Sequence, residues 1–124
     1  MEKKAEYKIS SSFKDTILEI IITGELAKSA HEKMTHDVCS ITKENSVKKV
    51  LIDMSALIGR LGITEIYESV RNYPPHMYKI QFAMVDIPEN ADIQSFHETT
   101  AINAGMKLKC CYHIDDARVW LKNK

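Results

Sequence analysis

The residues best placed for chemistry lie in one stretch, LIDMSALIGRLGITEIYESV, from Leu51 to Val70. An apolar run ends in Asp53, Ser55 follows, and Gly59, Arg60, Gly62 and Thr64 lead into a helix-like pattern. Three roles are open to this loop. The plainest is structural, with Gly59 and Gly62 supplying unusual backbone dihedrals and close packing. The second is anion contact, because free amides at a helix start and an exposed Arg60 both favour carboxylate or phosphate. The third is phosphorylation of Thr64, which would change its partner contacts through added charge. No phosphate-cradling pattern of the GxxxxGK[ST] type is present. Asp53 ends a strand, where α/β proteins place ligand-facing groups. With no second carboxylate at a useful spacing, it reads as a cap on the following turn.

Other nucleophiles and ligands are scattered. His31 and His36 are not at the i, i+4 spacing that brings two ligands to one metal on a helix. His76, His97 and His113 read as surface residues. His97 beside Glu98 does not form a base–orienter pair, because adjacent helical residues do not face each other. Three cysteines, Cys39, Cys110 and Cys111, show no zinc-ligand spacing. Cys110 and Cys111 alternate across a strand, so they do not bridge each other. Reduced thiols, a cytoplasmic location, no bound metal and no cofactor are the expectations.

Lys plus Arg number 17 and Asp plus Glu number 17, with no long block of either sign. That balance argues against nucleic acid or an anionic membrane as partner. The charged start MEKKAEYKIS lacks a signal-peptide apolar stretch, and ILEIIITG is too short to span a bilayer. A length of 124 residues suits one domain, 1–124.

Periodicity supplies the elements around the loop. AEYKISSS and DTILEIIITG read as a hairpin turned at SFKD. Leu26, Ala30, Met34, Val38 and Ile41 share a helical face over Glu25–Asn45. VKKVLIDM is a strand. Ile63, Ile66, Tyr67 and Val70 form the apolar side of a second helix, stopped by Pro74 and Pro75. YKIQFAMVD is a strand; Asn90 or Asp92 caps a third helix whose apolar side is Ile93, Phe96, Ala101 and Ala104, ended by Gly105. MKLKCCYH is the last strand, and IDDARVWLKN a final helix pinned by Trp120 and Leu121. The order β-β-α-β-α-β-α-β-α predicts an α/β fold: a mixed sheet of four to five strands, opened by a hairpin and packed with about four helices.

This layout resembles the STAS domain, the fold of bacterial anti-sigma-factor antagonists, and within it the SpoIIAA-like branch. The resemblance rests on the strand ending in Asp53, the Gly59–Gly62 loop and the segment from Ile66 to Pro74. It continues through Glu98, Thr99, Ala101, Asn103 and Gly105, and through Ala117, Trp120 and Leu121. The resemblance implies a regulatory module that works by protein contact. Phosphorylated antagonists carry an acceptor serine here, in a stretch like DSSGLG, whose phosphate prevents docking to a kinase-type anti-sigma factor. In this chain Arg60, Leu61 and Gly62 stand at that place, so the serine is missing.

The expected function is therefore a non-enzymatic bacterial binding module with a protein partner, engaged through the Ser55–Thr64 loop and the exposed face of the second helix. A homodimer stays open. The competing expectation is a carrier for a lipid or small apolar ligand, with Met34, Met54, Met77, Met84 and Met106 lining an adaptable cavity between sheet and helices.

Overall fold

The structure, a computed structural model, describes residues 6–123. Ala5, expected to open the first strand, and the charged residues before it lie outside that range, as does Lys124.

Strand β1 (Tyr7–Lys14) and β2 (Ile17–Glu25) form an antiparallel hairpin in which Lys14 pairs with Ile17 and Phe13 with Leu18. The turn is therefore Asp15–Thr16 rather than SFKD, and Asp15 takes the left-handed conformation at φ 58°. Asp tolerates that region because its short polar side chain compensates locally. Then come α1 (His31–Asn45), β3 (Lys49–Asp53), the two-residue β4 (Leu57–Ile58) and α2 (Ile63–Asn72). β5 (Gln81–Val85), α3 (Ala91–Asn103), β6 (Lys107–Cys111) and α4 (Ile114–Lys122) complete the chain.

The sheet runs β1-β2-β3-β5-β6, parallel from β2 onward, with β4 also pairing with β2 beyond the end of β3. The parallel strands advance in one direction across the sheet. Crossovers of a single hand must then place α1, α2 and α3 on one face. That face carries the larger core, in which Leu18, Ile20, Val50, Phe82, Val70 and Ala101 are buried together. Among the described residues the opposite face is covered by α4: Ala117 and Leu121 are buried against Leu51, Ala83 and Cys111, with Trp120 packed at the side. Across this face the Arg118 guanidinium donates to both oxygens of Glu19, at 2.8 and 2.9 Å.

Several elements depart from their sequence pattern. Glu25 still belongs to β2 and Lys28–Ala30 is a 3-10 turn, so α1 starts six residues later than its periodicity suggests. Tyr78 and Lys79 lie in a 3-10 turn that opens at Pro75, so β5 starts only at Gln81. In α3 the buried residues are Gln94, His97 and Ala101, with Ile93 and Phe96 partly buried, while Ala104 is exposed. The third helix thus turns two polar side chains inward. Gly105 ends it as expected, at φ 99°.

Candidate functional site

The loop between β3 and α2 sits at the carboxyl end of the parallel strands. Its first turn is made by Asp53, whose Oδ1 accepts from the Ser55 amide at 3.0 Å and the Ser55 hydroxyl at 2.7 Å. This is the capping role expected of a lone strand-end aspartate, and it commits the Ser55 hydroxyl locally. Leu57 and Ile58 then run beside Gly24 and Glu25. Gly59 turns the chain at φ 93°, and a Cβ there would lie 2.7 Å from the Leu26 carbonyl oxygen. Only glycine meets both conditions without strain.

Gly62 is different. It is extended, at φ −81° and ψ 177°, and forms the N-cap of α2. Its amide donates to Glu65 Oε1 at 2.9 Å, and its carbonyl accepts the first helical bond, from Ile66, at 3.0 Å. The expectation of unusual dihedrals thus holds for Gly59 and is corrected for Gly62. Glu65 thus places its own carboxylate at the helix start, where it answers the Gly62 amide. Thr64 is exposed in the first turn.

Arg60 requires the larger correction. It is a clasp and not an exposed contact residue, with its side chain 11% exposed against an Asp86 side chain at 0%. Nε and one terminal nitrogen donate to the two Asp86 oxygens at 3.0 and 2.7 Å. The remaining donations reach the carbonyls of Met54 at 2.8 Å, Leu57 at 2.6 Å and Gly59 at 2.7 Å. A guanidinium has five N–H donors, and these five bonds use them all. The residue that was to greet an anion is spent holding the loop to the end of β5. Burial pushes the Asp86 carboxyl up. Donation from Arg60, Gln94, the Ile87 amide and Asn90 outweighs burial and holds it below the usual carboxylate range.

A rigid loop leaves a defined outer surface. The helix-two stripe was expected to bury Ile63, Ile66, Tyr67 and Val70. Only Ile66 and Val70 are buried; Ile63 is 59% exposed and Tyr67 48%. With Ile58 at 66%, they leave three large apolar residues exposed on the loop and the helix that follows it. The Arg71 guanidinium lies 5.1 Å from the Tyr67 ring centroid, which fixes that ring by a cation–π contact.

The helices and sheet also enclose a cavity of about 70 Å³, lined by all five methionines named from the sequence: Met34, Met54, Met77, Met84 and Met106. His97 lines it too. It is 8% exposed, so the surface placement expected for it is wrong, and burial pushes its imidazole down to about 4. Sequence reasoning missed it because the ring sits on a helix whose polar and apolar residues are nearly evenly spread. His76 is half-buried, within hydrogen-bonding distance of the Thr42 hydroxyl at 3.0 Å and the Cys39 carbonyl at 3.2 Å.

The thiols are inert. Burial pushes Cys39 up to about 11 and Cys110 up to about 12, where burial is joined by the neighbouring Glu98 charge. All three cysteines are free; Cys110 packs against the larger core and Cys111 in the smaller, on opposite faces of the sheet. Among the described residues no cluster of three or more His, Cys, Asp or Glu side chains is arranged to hold a metal, and no helix is long and apolar enough to cross a membrane.

No protein-family model matches the sequence, and no curated protein matches it. Solved structures do match. One is an anti-sigma factor antagonist from Mycobacterium paratuberculosis, with a TM-score of 0.62 at 16% identity over 94% of this chain and 95% of that one. This chain has the SpoIIAA-like fold. A second neighbour, an uncharacterized protein with a SpoIIAA-like fold from Shewanella loihica, gives a TM-score of 0.61 at 16% identity over 98% of each chain. At such identity the likeness concerns the fold, and function has to be argued from the site.

Proposed function

We propose that the chain is a non-enzymatic binding module that docks a protein partner through the Ser55–Thr64 loop and the outer face of α2. The observation that carries this reading is the exposed set Ile58, Ile63 and Tyr67 on a loop anchored by the Arg60–Asp86 pair. Apolar side chains on a preorganised surface gain affinity because little conformational freedom is lost on docking. The anti-sigma-factor antagonist among the structural neighbours supports a regulatory role in a bacterial cytoplasm, as do the free thiols. With Arg60, Leu61 and Gly62 at the place of the acceptor serine, docking here is not switched by serine phosphate.

The test is affinity capture from the source cell with wild type and Ile63→Glu, followed by phosphosite mapping of the captured bait. The reading expects a defined protein retained by wild type, lost with Ile63→Glu, and no stoichiometric phosphate on Ser55 or Thr64. Equal capture by both baits removes the surface from consideration. A second copy of this chain as the captured protein would make the same surface a homodimer interface.

The carrier reading draws support from the methionine-lined cavity. Its volume of about 70 Å³ is half of the ~150 Å³ that accepts a benzene-sized ligand, so an acyl chain does not fit this conformation.

A further inference from the structure

The cavity between the sheet and helices α1–α3 holds an unexplained polar atom. His97 Nε2 is buried and has no hydrogen-bond partner among the described residues. Such an atom costs free energy unless something answers it. The cavity wall is mostly thioether and hydrocarbon, with Thr35, Arg60, Tyr73 and Gln94 as its other polar side chains. Gln94 is engaged elsewhere, its Nε2 donating to Asp86 at 2.7 Å and contacting the Met54 sulfur at 3.4 Å. Arg60, which also lines the cavity, has no free donor.

We propose that this cavity is a binding site for a compact, neutral, mostly apolar molecule that carries one hydrogen-bonding group directed at His97 Nε2.

The chemistry follows from what lines the space. The five methionines come from α1, the turn after β3, the turn before β5, β5 itself and the approach to β6. Unbranched thioethers change rotamer easily, so the room they enclose is adjustable. An occupant near benzene in size enters by displacing their ends. The cavity shares Thr35 and Tyr73 with the groove between α1 and α2, which gives it a mouth. A carboxylate is disfavoured, because among the described residues the one cation lining the site, Arg60, is already paired with Asp86 and does not compensate a further buried charge. The imidazole is neutral at physiological pH, so it answers a hydroxyl or a carbonyl by choice of tautomer. The site shares Arg60 and Leu61 with the docking loop, but Ile58, Ile63 and Tyr67, the exposed side chains that carry the docking surface, do not line it.

Phenol and toluene are the matched probes, alike in size and differing in one hydroxyl. A purely apolar cavity rejects phenol relative to toluene, because the hydroxyl loses its water without replacement. A cavity with a waiting imidazole does not. Full-length protein labelled with 13C at the methionine methyls is titrated with each probe by NMR. The expected result is saturable shifts of the cavity methyls, with phenol binding at least as tightly as toluene. His97→Leu should weaken phenol by about tenfold and leave toluene unchanged or tighter. Two results overturn the proposal: methyl shifts that never saturate with either probe, and a wild-type preference for toluene of tenfold or more. The wild-type comparison decides the matter even if His97→Leu does not fold.

Discussion

Replacing Arg60 with alanine should destabilise the fold by several kcal/mol, although a loop arginine ordinarily contributes little. The side chain closes five hydrogen bonds, two to a carboxylate with no solvent exposure. Breaking a buried ion pair by removing one member costs about 3–5 kcal/mol, because the other charge stays behind without compensation. Asp86 retains donors from Gln94, Asn90 and the Ile87 amide, which places the loss near the lower end. With an unfolding entropy of roughly 2.1 cal/mol/K per residue, a loss of ~3 kcal/mol lowers Tm by roughly 12 °C for a chain of this length. Arg60→Lys should recover only part, since an ammonium lacks the planar fork that spans both oxygens and the carbonyls. Differential scanning calorimetry of wild type, Arg60→Ala, Arg60→Lys and Asp86→Asn measures these differences. A Tm within ~3 °C of wild type for Arg60→Ala would refute the clasp.

Gly59→Ala should cost about 1–3 kcal/mol, since φ of 93° and the Leu26 carbonyl both oppose a side chain, whereas Gly62→Ala should cost less because its obstacle is the movable Glu65 carboxylate; urea melts compare the two. Asp86 and Glu19 both hold depressed carboxyl groups, Glu19 chiefly through hydrogen bonding to Arg118. Their stabilisation is complete above the ordinary carboxylate value and is lost as pH falls through the folded one, so Tm should hold near neutrality and drop below about pH 4. Thiol titration should find three reactive groups in denaturant without reductant, and slow reaction at Cys39 and Cys110 in the native protein, where burial holds both thiols protonated.

The architecture was legible because short buried apolar runs at β2, β3 and β5 are separated by helical spacing in α1 and α2, and because Gly105 and the proline pair mark element ends. Asp53 was legible for a local reason, since its partner is two residues away. Arg60 was not. Its partner Asp86 lies 26 residues on, at the end of a neighbouring strand, and no local pattern links the two. The same holds for His97, read as a surface residue although the fold buries it. Ile63 and Tyr67 fit a buried stripe by spacing, yet α2 crosses the sheet with only Ile66 and Val70 inward. The five methionines were grouped from composition, and the fold brought them to one cavity because their elements all face the larger core.

The most direct measurement of the docking surface is the affinity of the captured partner for wild type and for Ile63→Glu, read by calorimetry beside a thermal melt of each. Burying an exposed isoleucine contributes roughly 1.5–3 kcal/mol, so the substitution should weaken binding by about tenfold or more. Because Ile63 is 59% exposed, Tm should stay within a few degrees of wild type. Unchanged affinity for Ile63→Glu, with the fold intact, would contradict docking through the loop and the outer face of α2.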